Sequence, residues 1–474
     1  MIHLPLRHVI LFSVAPGKLD SRSHSASFPA AKEGPEPTTM SAASANQPLR
    51  VAVLVTLERG PAAGGHVKSW ERIAEVAAAR PDLVELDLHF LGPKRTVEAA
   101  AANVRFHTHR PTLGTRTLMF LDQGAGHTDL APLHPGLWTT LKGSDVVHAT
   151  DFFSFGRTAI AYARARGCGL SASVQTDVPR FTMIYAGGIM ERLLGRAIGG
   201  GLLVDRWHLP ERIARSQQRG IDRRLGLCDR ILLSKPEDRD RLAKSSANVR
   251  LFRRGVDRAR FDPAHRDRSR LKERFGIPDD RVVLLFAGRV DASKGAPLMA
   301  EATKRLIDQG FDVHALVAGD GQDRDRIRAL LGDRATLPGN LPQNELAWIY
   351  ASTDVFVFPS RTEVSPNVVL EAKASGLPVV VAAEHGGGQF VAQPGEDGMI
   401  VAEDDAASWA AAIRPLVEDE TRRRAIGRNA RQWIEREWPD WGEVLERDLL
   451  AAWHEAALNG RYRHVDHARR WASG

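Results

Sequence analysis

The feature that most constrains this chain is a recurring unit: a short apolar run, then a glycine-containing or polar loop, then a stretch whose apolar residues repeat with helical spacing. Arg50 to Thr56 (RVAVLVT) opens the series, followed by a glycine-rich turn at Pro61 to Gly65. A helical pattern follows through Val67, Trp70, Ile73, Ala74 and Ala77, and Pro81 stops it. Val84, Leu86, Leu88 and Phe90 then alternate with Glu85, Asp87 and His89. A run that is apolar on both faces needs cover on both faces, and a parallel sheet flanked by helices supplies it. Asp145 to His148, Leu170 to Val174 and Arg230 to Ser234 continue the first series. Val282 to Ala287, Asp312 to Ala318, Asp354 to Phe358 and Pro378 to Ala382 form a second one. Between them lies the charge-dense, proline-punctuated segment Arg253 to Arg274, which suits an interdomain connection.

The expected fold is therefore α/β, with two Rossmann-like, doubly wound parallel-sheet domains over residues 49–255 and 256–437. Residues 438–460 form a closing amphipathic helix through Val444, Leu445, Leu449, Leu450 and Trp453, and 461–474 a basic tail. Residues 1–48 mix Ser, Ala, Pro, Lys and Glu without periodicity and read as a disordered extension, with Met40 an alternative start.

Composition narrows the function classes. Two cysteines, Cys168 and Cys228, in 474 residues leave no disulfide framework or zinc ribbon and suit a reducing compartment, so a cytoplasmic location is expected. No run approaches the ~18 apolar residues of a membrane-spanning helix. The net charge of +7 is mild for the length and makes no case for a nucleic-acid partner.

In open α/β sheets ligands sit beyond the carboxyl ends of the strands, where loops meet helix N-termini that favour anions. Five such loops carry unusual residues: Gly64-Gly65, Arg289 and Lys294 in GRVDASKG, Gly319-Asp320-Gly321, Glu363, and His385-Gly386-Gly387-Gly388. Each alone reads as an ordinary structural turn, and no GxxxxGK[ST] phosphate loop is present. Their shared edge points to a nucleotide-phosphate site between the domains. Arg289 can clamp phosphate oxygens in a bidentate fashion and Lys294 adds a compact charge, so the pair suits a departing diphosphate. In TEVSPNVVLEAKASGLPVVV, Ser365 is a natural cap for a helix from Pro366 to Ser375, ending at Gly376. Glu363 then lies in the loop and Glu371 in the helix, so different roles are expected; spacing alone would favour two solvated glutamates, and the apolar neighbours Val368, Val369 and Leu370 weigh against that for Glu371.

With these motifs in order, the chain resembles the GT-B glycosyltransferases, specifically the retaining group 1 family (GT4) with its E-x7-E signature. GVDxxxF from Gly255, GRxxxxKG, AGDG, DVFVFPSxxE and VVLEAxASGxPVV follow one another as in that family, and the likeness spans roughly Val51 to Leu458. In the first half it rests on GGHVK, VVHA and QTDVPRF. The resemblance implies that Arg289 and Lys294 hold the diphosphate with Gly65 approaching it from the first domain. It further implies that Glu371 accepts ribose hydroxyls and that Glu363 and the HGGG loop face the donor sugar. It implies a nucleotide-diphosphate sugar as substrate, no metal, no cofactor, and a closing helix that packs back on the first domain. Gln175 stands where many relatives have a His, and Val364-Ser365-Pro366 replaces their T-F-G, which leaves the donor open. His148 and Asp151 are candidates for the acceptor side, with a buried structural His148 an equal reading. The basic stretch Leu209 to Leu225, preceded by the apolar Ile198 to Val204, reads equally as a solvated helix face beside a core segment or as peripheral membrane contact with a lipid-linked acceptor. A nucleotide-sugar isomerase or hydrolase, or a silent glycan- or nucleotide-binding protein, are the competing readings.

Overall fold

In the computed structural model, residues 47–60, 63–115, 128–174, 204, 206–234, 238, 239, 242, 248–363, 365–384 and 386–472 are described. The first sheet contains β1 (Leu49–Glu58), β2 (Val84–Leu91), β3 (Thr96–Ala101), β4 (Val104–His109), β5 (Val146–Ala149), β6 (Gly169–Val174), β7 (Arg230–Leu233) and β8 (Val249–Leu251). Their order across the sheet is β3-β4-β2-β1-β5-β6-β7-β8. The second sheet contains β9 (Val282–Ala287), β10 (Val313–Ala318), β11 (Ala335–Gly339), β12 (Val355–Phe358), β13 (Val379–Ala382) and β14 (Met399–Val401), ordered β11-β10-β9-β12-β13-β14. In both sheets the order turns back beside the first strand, which opens a crevice at its carboxyl end.

β1 shows why an uninterrupted apolar run builds this architecture. Side chains alternate across a strand. Val51, Val53 and Val55 therefore join Trp70, Ile73 and Trp453 in one core, while Ala52 and Leu54 join Phe155 and Ala159 in the core on the opposite face. The helix Gly65–Ala78 covers the first face and Ser154–Arg166 the second.

Two expectations need correction. The first sheet is not wholly parallel, because β3 pairs antiparallel with β4 at the edge. Its sequence TVEAAA has little β-preference and its central residues are exposed, so pairing rather than patterning makes it a strand. The closing helix does not end near Gly460 with a tail beyond it, since Ala451–Ala472 is one helix. RYRHVDHARRWA contains neither proline nor glycine to stop it.

That helix returns to the first sheet. Trp453 is fully buried there, and its indole N–H donates to His148 Nδ1 at 3.2 Å. A Cβ on Gly460 would lie 2.5 Å from the Cys168 carbonyl carbon, so only glycine lets the helix approach the start of β6 this closely. The outgoing and returning chains run side by side: Val256 N–H donates to the Pro439 carbonyl at 3.2 Å, and Trp438 Nε1 to the Arg254 carbonyl at 2.6 Å.

The face of the first sheet under Phe155 also holds a group of buried histidines. His89 Nδ1 lies 3.0 Å from His109 Nε2, and His107 Nε2 lies 2.9 Å from Asp87 Oδ1. Burial holds His89 well below the usual imidazole range and His109 and His148 at about 3. The unfolded chain therefore binds more protons than the folded one between about pH 3 and 6.5, so this contribution is complete above 6.5 and is lost as pH falls. Burial acts oppositely at Asp448, raised to about 6, and at Glu371, raised to about 7, which take up protons in the folded state and offset part of the loss. The expected net result is a melting temperature that falls between pH 7 and 5, followed by circular dichroism. A flat or rising profile would show that the imidazoles are not held neutral.

Candidate active site at the strand ends

The site is built from loops that glycine allows to touch. After β9 the chain passes Gly288 and Arg289 to Asp291, which caps the short turn Ala292–Lys294 by accepting from Lys294 N–H at 3.1 Å. Arg289 Nε lies 3.2 Å from Asp291 Oδ2, and an Arg289 terminal N–H donates to Ser293 Oγ at 3.2 Å. Ser360 Oγ and Thr362 Oγ1, from the loop after β12, both donate to the Ser293 carbonyl, at 3.2 and 3.0 Å. The same loop brings Glu363 to Lys294, whose ammonium donates to Glu363 Oε1.

The loop after β10 lies on the one after β9. A Cβ on Gly319, whose φ is +146°, would fall 1.8 Å from the Gly288 carbonyl oxygen, and Val290 N–H donates to the Asp320 carbonyl at 2.9 Å. From β13, Gly386 packs so tightly that a Cβ would lie 2.3 Å from the Ser360 carbonyl oxygen. Arg289, Lys294, Glu363, Gly319, Asp320, Gly321, Gly386 and Gly387 thus share one edge of the second sheet. His385 and Gln175 lie outside the described residues.

The helix bearing Glu371 runs Asn367–Ala374 and is capped by Pro366 without a side-chain hydrogen bond, so the expected Ser365 cap is not formed. Ser365 instead turns its carbonyl to the Arg254 guanidinium at 3.0 Å. Burial pushes the Glu371 carboxyl up to about 7, against the opposing pull of Arg72, Tyr350 and Arg260. The Tyr350 hydroxyl lies near it but outside hydrogen-bond geometry. Arg72 belongs to the helix Gly65–Ala78 of the first sheet, so Glu371 faces the seam between the two halves. Asn367 Nδ2, one turn earlier, is 3.4 Å from Ser69 Oγ across the same seam.

Lys373 is a residue that the sequence does not single out. It is fully buried, its ammonium lies 2.7 Å from Asp397 Oδ2, 4.0 Å over the Trp433 ring, and donates to the Phe390 carbonyl. Asp397 also accepts from the Ala392 and Gln393 N–H groups at 3.1 and 2.8 Å, so this pair holds the chain that follows the glycine turn. A lysine between Ala372 and Ala374, close to the apolar Val369 and Leu370, is the available signal.

On the first-sheet side, Gly64 and Gly65 are exposed at the start of the helix Gly65–Ala78. The two acceptor-side candidates are placed differently. His148 is fully buried between Trp70 and Trp453, with Ser171 and Ser173 hydroxyls each 3.0 Å from a ring nitrogen. Because the Trp453 indole donates to Nδ1, Nε2 carries the proton and donates to Ser173 Oγ. Asp151 accepts from Thr56 N–H at 3.0 Å, Thr56 Oγ1 at 2.6 Å and Phe153 N–H at 2.9 Å, bracing the end of β1. Both side chains hold the scaffold, which VVHA and its following loop did not reveal because burial is a tertiary property. The basic helix Leu209–Leu225 leaves Arg212, Arg215, Arg219 and Arg223 exposed, with exposed Trp207 just before it; residues 198–203 lie outside the described residues.

Two Rossmann-like sheets whose cation- and glycine-bearing loops gather at the strand ends beside a seam define the GT-B class of glycosyltransferases. The family description "Glycosyl transferases group 1" matches residues 267–433. The chain is 30% identical over 361 residues to a D-inositol 3-phosphate glycosyltransferase of Catenulispora acidiphila, covering 72% of this chain and 80% of that protein. It is 30% identical to a GDP-mannose-dependent alpha-mannosyltransferase of Mycolicibacterium smegmatis over 69% of this chain and 78% of that one. Among solved structures, sucrose-phosphate synthase from Thermosynechococcus elongatus superposes with TM-score 0.60 at 20% identity, covering 90% of this chain and all (100%) of that one. Anabaena HepE in complex with UDP-glucose superposes at 0.59 with 15% identity, over 85% and 98%. The chain belongs to the group 1 glycosyltransferases and is an enzyme of that class.

Proposed function

We propose that the protein transfers a sugar, with retention of anomeric configuration, from a nucleotide-diphosphate donor to a hydroxyl acceptor. The observation that supports this most is the convergence of Arg289, Lys294 and Glu363 at one strand edge, next to a seam whose other side presents the Gly65 helix start. Two cations at that edge suit a diphosphate leaving group, and Glu363 is placed to serve the sugar once the ammonium turns to phosphate. Glu371 takes the ribose hydroxyls, for which its place in the seam is suited. The C1–O bond to the diphosphate breaks with its electron pair going to the phosphate oxygen. The acceptor oxygen bonds to C1 from the same face, and its proton passes to that phosphate oxygen. No divalent ion takes part, since the side-chain cations carry the charge that a metal would otherwise neutralise.

UDP-, GDP- and ADP-sugars are incubated with acceptor pools in EDTA, and the product anomer is assigned by NMR. Retained configuration with acceptor-dependent turnover is expected. Inversion, a metal requirement, or turnover without acceptor would overturn the respective part, the last in favour of an isomerase or hydrolase.

The acceptor is proposed to be lipid-linked, held at the inner face of a membrane by the exposed arginines of Leu209–Leu225, each worth about 1 kcal/mol at an anionic surface. Cosedimentation with vesicles is expected to grow with anionic lipid and fall with salt. Protein that stays in the supernatant at every composition would favour a soluble acceptor.

A further inference from the structure

Among the described residues, two of the cations at the strand ends already have carboxylate partners. Arg289 lies against Asp291 and Lys294 against Glu363. Arg254, which enters from the connector between the two sheets, is a third cation there and is 8% exposed. Among the described residues its guanidinium makes one hydrogen bond, to the neutral Ser365 carbonyl, and its Nε is buried without a partner. Glu363 acts on it electrostatically without a salt bridge between them and is already engaged by Lys294. A buried guanidinium has five donors to satisfy and cannot shed its charge, so it needs an anion that the described chain does not supply.

The surroundings specify where that anion goes. An Arg254 terminal nitrogen lies 3.6 Å from the position a Cβ on Gly65 would take. Gly65 starts a helix of 14 residues whose free N–H groups favour negative charge. Helix start and guanidinium therefore flank one point in the seam, and Glu363 acts electrostatically on the same guanidinium.

We propose that Arg254 is a third diphosphate-binding residue, gripping phosphate oxygens together with the Gly65 turn. This rests on the nucleotide-sugar reading of the same site and extends it: the connector itself carries a charge that engages only when both halves meet the ligand. The bound group is a phosphate, and the donor's diphosphate is assigned rather than a phosphate on the acceptor.

Isothermal calorimetry on the full chain tests it, with UDP, GDP and inorganic pyrophosphate as probes and uridine and guanosine as controls. Arg254→Met should weaken pyrophosphate and whichever nucleotide binds by about ten- to a hundredfold, the loss expected for a charge-assisted contact, and leave the nucleoside unchanged. Arg254→Lys should recover part of the affinity, and added guanidinium should restore part of the activity of Arg254→Ala. Unchanged diphosphate binding in Arg254→Met, or an equal loss of nucleoside binding, would overturn the proposal and make Arg254 a structural link between the halves. An effect confined to the acceptor KM would overturn the diphosphate assignment. If wild type binds pyrophosphate but no nucleotide, and Arg254→Met loses it, the nucleotide reading fails while Arg254 stands.

Discussion

Replacing Lys294 by alanine is expected to lower kcat roughly ten- to a hundredfold, the equivalent of about 1.5–3 kcal/mol for a lost charge-assisted contact. The substitution removes one of the cations facing the departing diphosphate. It also strips Glu363 of the ammonium it is bonded to, leaving a partly buried carboxylate where the ligand's negative charge must sit. Lys294 is held in place by Asp291, which accepts its backbone N–H, and by Ser360 and Thr362, which fasten the neighbouring Ser293 carbonyl. The loop therefore keeps its shape when the side chain is cut back, and the loss should appear in turnover more than in melting temperature. Steady-state rates with the preferred donor decide the matter, and a wild-type rate would remove Lys294 from the chemistry.

Lys373→Ala is expected to produce the largest stability loss in the second sheet. Its ammonium is fully enclosed with the Asp397 carboxylate at 2.7 Å, and burial lowers its pKa to about 8 although Asp397 opposes the shift. Removing one partner leaves the other charge buried and unpaired, which costs about 3–5 kcal/mol. For a domain of this size that corresponds to a drop of roughly 10 °C. A Lys373→Met/Asp397→Leu double variant should regain part of the loss because no lone charge remains. The recovery is incomplete because the Ala392 and Gln393 N–H groups lose their acceptor. Thermal unfolding of the single and double variants measures both terms, and a double variant no more stable than Lys373→Ala would show that the pair's charges are not the cause.

Strands that are apolar on both faces were legible because burial on two sides leaves no freedom in composition. Val282–Ala287 is a strand over the residues its sequence suggests, and β1, β10, β12 and β13 differ from their apolar runs by a residue or two at the ends. The sequence does not single out β3, β4, β8, β11 and β14. These are edge or short strands, or, like β4, carry histidines that the sequence presents as polar and the fold makes core. Apolar spacing marks the closing helix, but Gly460 reads as a stop and places its end too early. In the folded chain Gly460 is a contact point against Cys168 and Gly169.

The same division runs through the site. GRVDASKG, the Gly319–Gly321 turn and Glu363 were legible as a group because strand-end loops on one parallel sheet must share an edge, whatever the side chains do. His148 and Asp151 also follow a strand, yet they point into the scaffold and bond to Ser171, Ser173 and Thr56. Arg254 looks like one more arginine in a charge-dense connector until the returning chain and the Ser365 loop enclose it. By itself the sequence determined the two-sheet architecture, the family and the loops that carry charge, because apolar periodicity and strand-end placement are local or topological properties. Only the tertiary structure decided which polar groups are buried, which charges are already paired, and which one still requires an anion. Pairing and desolvation depend on residues far apart in the chain, such as Lys294 with Glu363 and Arg254 with Gly65.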